Sequence, residues 1–284
     1  MRKSVFFIIL ACVAMLCTNT GCTDKKPEPA DSLRNDSFVA DTVVDTDTVA
    51  RIVEEMPMPK TADELFDDFF FNFINSKKLQ RGRVMFPLPV RTGNHVSYIQ
   101  RSRWQMDHFF RDQEYYTLIF DNEKQMALPK DTTIDNVIVE KIHISQGMVE
   151  EFCFRRNDGK WALAEIHNVG LEESKNASFL LFLKSFFTDP EANQSGVAEP
   201  LAYYGPNPEG EDEAEYVNTT IPADTWSNYL PELPSSIVYN ILYGQKYSGG
   251  KEKIFIFKGI ANGLETELVF RRTDDEWKLV KIKV

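Results

Sequence analysis

Between positions 62 and 75, Phe66, Phe69, Phe70 and Phe73 recur at spacings of three, one and three, with acidic and amide residues between them. That spacing sets four rings on one face of an amphipathic helix, and Asp63 and Glu64 suit its positively polarised start. Further on, the period shortens. Segments 115–121, 137–145, 148–156 and 161–167 are strand-length and rich in apolar residues, and they are punctuated by Gln146-Gly147 and Asn157-Asp158-Gly159. They predict a hairpin-linked antiparallel meander.

The pattern is written twice. FRRNDGKWALAEI at 154–166 returns as FRRTDDEWKLVKI at 270–282, with seven of thirteen residues identical at a shift of 116. At the same shift 137–154 pairs with 253–270, and Gly147 falls on Gly263 of an Asn-Gly hairpin turn. The helix face aligns at a shift of 113, placing Phe66, Phe69, Phe70 and Phe73 on Phe179, Phe182, Leu183 and Phe186, and Pro87-Leu88 on Pro200-Leu201. Segment 116–120 matches 239–243 at a shift of 123. The drift reflects loops of unequal length, including an acidic insert at 206–218 in the second copy. A period above about one hundred residues is too long for a solenoid and predicts tandem globular domains, here 61–170 and 174–284. Asp189-Pro190 stops the second copy's helix. Both final strands read Trp-x-Leu-x-x-Ile, which breaks alternation once and predicts a shared β-bulge that bends the sheet. The expected class is α+β: two tandem cone-shaped domains, each with N-terminal helices packed on a curved antiparallel sheet.

The N-terminus adds a location. A short basic start with Arg2 and Lys3, an apolar run over 5–16 and then Thr18-Asn19-Thr20-Gly21-Cys22 read as a secretory signal. Twelve apolar residues fall short of the about 20 that a spanning helix needs. Asn19-Thr20-Gly21-Cys22 resembles a bacterial lipobox, with Asn where Leu is usual. On that reading 1–21 is a lipoprotein signal peptide, and Cys22 is acylated by several chains that hold it firmly on a membrane. The alternative is a plain secretory signal. Residues 22–60, rich in Asp, Thr, Val, Pro and Glu, predict a disordered tether. Its Asp31-Ser32-Leu33, Asp41-Thr42-Val43 and Asp47-Thr48-Val49 resemble a triplet that one Gram-negative phylum O-glycosylates, or arise by chance in such a composition.

Of the four cysteines only Cys153 then remains as a free thiol, so no intramolecular disulfide forms. It aligns with Val269 and is expected as a buried strand residue. The formal charge of −11 becomes −13 when Arg2 and Lys3 leave with the signal. Such a surface repels phosphate backbones, which excludes nucleic acid as a partner.

The helix-first order, the hairpin-linked strands and the Asp-Gly-x-Trp-x-Leu-x-x-Ile ending are similar to the nuclear-transport-factor-two-like (cystatin-like) cone fold. Together with LQRGRVMFPL at 79–88, the tandem arrangement and the signal, the chain resembles an uncharacterised family of bacterial lipoproteins with two such domains. The resemblance implies an outer-membrane lipoprotein of a Gram-negative bacterium, facing the periplasm or the cell surface. It also implies a superfamily that includes isomerases and dehydratases alongside binding and assembly domains without activity.

Catalytic strings are absent. There is no His-Glu-x-x-His, Gly-x-Ser-x-Gly or dinucleotide-binding glycine pattern, and the loop at 244–252 has Glu where a phosphate loop needs Ser or Thr. His95, His108, His143 and His167 show no metal-ligand spacing, so neither metal nor cofactor is expected. Segment 99–110 predicts a helix that carries Trp104, Asp107 and His108 into the first cone. Asp107 with Tyr98 or Tyr116 would give the base and acid of an isomerase-like site, while an exposed helix face explains the same letters. Arg155-Arg156 and Arg271-Arg272 recur in both copies, and alternation sends one of each pair to the concave face. Arg156 and Arg272 are thus candidates for anion sites, or stems that cover the sheet edge beside Asp158 and Asp274. The expected role is a lipid-anchored, non-enzymatic module that binds a small-molecule ligand or a protein. The alternative is an isomerase- or dehydratase-like enzyme that uses the first cavity.

Overall fold

The computed structural model describes residues 60–208, 215–230, 237–245, 249–260 and 262–284. The expected signal, Cys22 and the tether lie outside them, Lys60 apart, as does part of the acidic insert. Among the described residues no helix is long and apolar enough to cross a membrane.

The first repeat begins with helices α1 (Phe66–Asn75) and α2 (Lys77–Arg83), joined at Ser76, whose hydroxyl caps α2 by accepting from the Leu79 N–H at 3.1 Å. The second begins with α3 (Ala177–Thr188) and α4 (Pro190–Ser195). There Asp189 ends one helix and caps the next, accepting from the Glu191 N–H at 2.9 Å, with Pro190 at the first helical position. Strands β1 (Leu88–Thr92), β2 (His95–Ile99), β3 (Tyr115–Phe120), β4 (Asn136–His143), β5 (Met148–Asn157) and β6 (Lys160–Gly170) complete the first repeat. Strands β7 (Val197–Pro206), β8 (Tyr216–Ile221), β9 (Ile237–Leu242), β10 (Glu252–Gly259), β11 (Glu265–Thr273) and β12 (Glu276–Lys283) complete the second. The last hairpins close through two-residue turns with both central residues left-handed: Asp158 and Gly159 at φ 50° and 73°, Asp274 and Asp275 at 51° and 67°. That geometry matches strand twist.

The predicted bulge is present in both copies. Register slips past Ala164 opposite Cys153 and Phe154, and past Val280 opposite Val269 and Phe270. The aromatic stripe is core, and the packing repeats almost distance for distance. Phe154 meets Phe66 and Phe73 edge-on at 5.3 Å each, and Phe270 meets Phe179 at 5.3 Å and Phe186 at 5.5 Å. Trp161 stands 5.1 Å from Phe66, as Trp277 does from Phe179.

Two features differ from the expected purely antiparallel sheets and self-contained repeats. The strand that follows the helices runs parallel to the last strand of its own repeat, β1 beside β6 and β7 beside β12, because the helical segment returns the chain alongside that strand in the same direction. More consequentially, the repeats exchange a strand. The sheet orders are β2-β1-β6-β5-β4-β9 and β3-β10-β11-β12-β7-β8. Strand β3 pairs with β10 (Ile119 opposite Phe255) and β9 with β4 (Ile241 opposite Val139), so neither sheet is confined to 61–170 or 174–284.

The exchanged segments, YYTLIF and IVYNIL, are apolar on both faces because both faces are covered. Tyr116, Leu118 and Phe120 face the first core, and Ile119 the second. Tyr239 and Ile241 face the first, and Val238 the second. Each exchanged strand leaves one edge without a ladder partner, and side chains of the opposite strand satisfy it. The Thr117 hydroxyl accepts from the Tyr239 N–H at 3.1 Å and donates to the Tyr239 carbonyl, while the Ile119 N–H donates to Asn240 Oδ1 at 2.8 Å. Thr117 and Asn240 occupy matching positions in the two repeats. Asn240 Nδ2 in turn donates to the buried Glu140 carboxylate at 2.6 Å, and Lys253 pairs with Asp121.

Unfolding is therefore expected as one transition. Circular dichroism and tryptophan fluorescence give coincident urea curves, and Asn240→Ala, which strips the acceptor from the buried Ile119 N–H, lowers stability by about 2–3 kcal/mol without splitting them. Two resolved transitions, one per repeat, would contradict the exchange.

Candidate functional site

Segment 99–110 does not form the expected helix. Only Arg101–Arg103 makes a 3-10 turn, Trp104 to Asp107 are irregular, and Phe109 sits at φ 48°. A clamp explains this. The fully buried Gln80 amide donates to the Asp107 carbonyl at 2.7 Å and accepts from the Asp107 N–H at 3.3 Å, replacing the helical ladder with a side chain. The consecutive Phe109 and Phe110 both enter the core. Trp104 packs edge-on against Phe86 at 5.9 Å with its indole N–H buried and unpartnered, and His108 Nδ1 is likewise buried and unpartnered.

The Asp107 carboxylate is bonded to neither of the tyrosines expected to work with it. Tyr98 is 61% exposed on β2. Tyr116 stacks on Phe110 at 4.6 Å inside the core, where burial, then the Asp67 carboxylate, hold its hydroxyl well above the usual phenol range. Arg156 donates to the Thr132 carbonyl at 2.7 Å, and Arg272 pairs with Asp275 at 3.1 Å, not with Asp158 or Asp274. The other member of each pair points to the convex face: Arg155 binds Glu165 at 3.0 Å and Arg271 lies 3.4 Å from Glu252.

What the fold does assemble is a charged cluster at one end of the first sheet's concave face. Asp107 Oδ1 accepts from the Phe109 N–H at 2.7 Å, and its Oδ2 meets Lys141 Nζ at 3.1 Å. Lys141 lies opposite Glu150 in the ladder, and Glu150 holds His143 Nε2 at 2.9 Å. On the other side Lys141 lies opposite Tyr239 of β9, whose hydroxyl is raised by burial and then by Asp107 and Glu150. All four side chains are partly buried. The second repeat has Phe257, Gly259 and Thr266 at the positions of Lys141, His143 and Glu150, so the cluster belongs to the first repeat alone. The signal was readable as polar residues at inward strand positions of one copy only. An ammonium, an imidazole and two carboxylates side by side suit a ligand that offers both hydrogen-bond donors and acceptors.

A second grouping sits where α1 meets the exchanged strands. Tyr243, just past β9, donates to Asp67 Oδ1 at 2.7 Å. Burial pushes the Asp67 carboxyl up to about 6, against weaker opposing effects of the Tyr243 bond and Lys258. Tyr243 also lines a groove of about 420 Å³ with Leu128, Ile134, Asn136 and Gln245, and both ends of the Gln245 amide are buried without partners. Cys153 is no nucleophile: burial, then Glu151 and Glu165, push its thiol up to about 12. With Glu165 and His167 it forms, among the described residues, a grouping with metal-ligand chemistry on the convex face.

Asp67 predicts a pH dependence. Its folded pKa near 6 exceeds the ordinary 3.8, so the folded state holds the proton more tightly, and stability falls as pH rises from about 4 to 6 and then levels. Asp67→Asn removes that loss. It is expected to stabilise the protein by up to about 3 kcal/mol above pH 6 and by nothing below about pH 4, in denaturant titrations across that range.

A family described as a domain of unknown function, DUF4348, matches residues 45–284. No curated protein matches the chain. Among solved structures it is similar to an NTF2-like protein from Bacteroides fragilis, at 38% identity over 80% of this chain and 98% of that one, with a TM-score of 0.71. The paired curved sheets are thus of the NTF2-like fold, and the chain belongs to the DUF4348 family.

Proposed function

We propose that this protein is a lipid-anchored, non-enzymatic component of the cell envelope, held on the outer membrane through acylated Cys22, whose first cone binds a polar ligand or a protein segment. The observation that carries the binding role is the cluster of Asp107, Lys141, His143 and Glu150. It places charges on an inward sheet face that the second repeat keeps apolar or neutral. Partly buried charges are costly to maintain, and a sheet that needed only to pack has the second repeat's solution available. Deeper in the cone the space between α1 and the sheet is filled by Phe66, Phe69, Phe70, Phe73 and Phe154, which favours recognition at the open end. The N-terminal pattern supports the anchor: a basic start, a short apolar run and a small residue before Cys22.

A co-purifying molecule or partner, sought by native mass spectrometry and by pull-down of the full chain, is expected to be lost from the double variant Lys141→Met, Glu150→Gln with folding intact. Retention by that variant would remove the cluster from the binding role. Cys22→Ala is expected to move the protein out of the membrane fraction, and protease treatment of intact cells separates surface from periplasmic exposure.

An isomerase-like enzyme is the second reading, favoured by the raised Asp67 carboxyl bonded to Tyr243 beside a groove. Deuterium wash-in from solvent to a panel of enolisable ketones tests it. Absence of incorporation, or incorporation that survives Asp67→Asn, rejects the enzyme.

A further inference from the structure

On the convex face of the first sheet, Cys153 stands opposite Glu165, and Glu151 opposite His167, across β5 and β6. These four positions form a square. A ring nitrogen of His167, a Glu165 oxygen and Cys153 Sγ all lie within 4.8 Å of one another. His167 Nε2 is 3.2 Å from Glu165 Oε2, and its Nδ1 is 3.6 Å from Glu151 Oε2.

The second sheet supplies an internal comparison. Its corresponding square is Val269, Lys281, Glu267 and Lys283. There the Lys283 ammonium sits 2.9 Å from Glu267 and 2.9 Å from Glu123, so that face carries its own cation. The first sheet keeps the glutamate as Glu151 but replaces the lysine by His167, the valine by Cys153 and the second lysine by Glu165. Each change exchanges a cation or an apolar group for a metal donor.

We propose that this square is a binding site for a zinc-class divalent cation, ligated by Cys153 Sγ, His167 and Glu165, with Glu151 or water in the fourth position. Thiolate and imidazole donors select zinc over calcium or magnesium, which prefer oxygen alone. Bonds of about 2.1–2.3 Å set tetrahedral donors roughly 3.5 Å apart, so the donors must close by roughly 1 Å, within reach of Glu165 and His167 side-chain rotation. As the sulfur–metal bond forms, the thiol proton leaves to solvent. Arg91 and Arg155 now hold Glu165 at 3.2 and 3.0 Å. Both side chains are about half exposed and can turn outward. With those two guanidiniums turned outward, the Glu151 and Glu165 carboxylates leave the square negative before the thiol ionises, and the thiolate that forms on binding adds to it.

The test uses the mature chain bearing Cys22→Ala, so that Cys153 is its only thiol, stripped with a chelator and titrated with cobalt(II). One equivalent is expected to bind with a thiolate-to-cobalt charge-transfer band in the near ultraviolet, and zinc is expected to displace it. Cys153→Val and His167→Lys install the second repeat's residues, and each is expected to weaken binding by at least about tenfold while leaving the metal-free melting curve unchanged. Glu165→Gln, on a partly exposed face, serves where either fails to fold. Absence of saturable binding, binding without the charge-transfer band, or affinity unchanged in these variants would overturn the proposal.

Discussion

Neither repeat can complete its sheet without the other. The edge strand beside β4 is β9, and the edge strand beside β10 is β3. Exchange alone would leave two strand edges buried with unpaired N–H and C=O groups, each costing about 1–3 kcal/mol. Thr117 and Asn240 offset part of that cost, binding the Tyr239 N–H and C=O and the Ile119 N–H of the strand opposite. The remaining architecture follows from this junction. Both faces of β3 and β9 become interior, and the aromatic helices α1 and α3 each find a curved sheet to cover. The two hydrophobic cores share the exchanged strands as their common wall.

The duplication, the first helix of each repeat, the meander, the turn at Asp158-Gly159 and the bulge were legible in the sequence, because each is written in local periodicity or turn chemistry; the two-residue turn expected at Asn262-Gly263 instead lies within a longer connection between Gly259 and Glu265. The exchange was not. YYTLIF and IVYNIL read as strands, but a strand buried on both faces has no alternation to say which sheet it joins, and register then depends on contacts more than one hundred residues away. The helix expected at 99–110 failed for a related reason. Its apolar spacing was adequate, but Gln80, from a different helix, takes the Asp107 backbone. The individual site residues fared according to whether their partners were local. Asp107 is placed by a loop that the pattern did not foresee, and Lys141 and Glu150 became visible once the inward face was known.

Conserving a packing solution twice while varying what faces outward is what makes the two copies informative about each other. At the helix–hairpin contact, Asp63 holds Arg83 through two hydrogen bonds of 2.8 and 2.7 Å in the first repeat. The matching positions in the second are Asn176 and Gly196, where the Gly196 carbonyl simply accepts from the Leu279 N–H at 2.7 Å. The backbone bridge to the last strand is present in both repeats, Val84 beside Leu163 and Val197 beside Leu279, and the first repeat adds the charged pair. Differences at such positions have a structural account. Lys141, Glu150 and His143 have no comparable packing task, since Phe257, Thr266 and Gly259 occupy their places without loss of the sheet.

The exchange also decides where any activity of the first cone resides. Tyr239 lies beside Lys141 in the open-end cluster, and Tyr243 donates to Asp67 at the groove; both follow from the second repeat's chain. A first repeat expressed alone would lack the edge strand of its sheet and a wall of each candidate site. On the proposed binding role, a change in the second repeat's β9 alters the first cone's candidate site as well. The family match likewise spans both copies, and the second repeat supplies part of the first one's candidate site as well as the edge strand of its sheet.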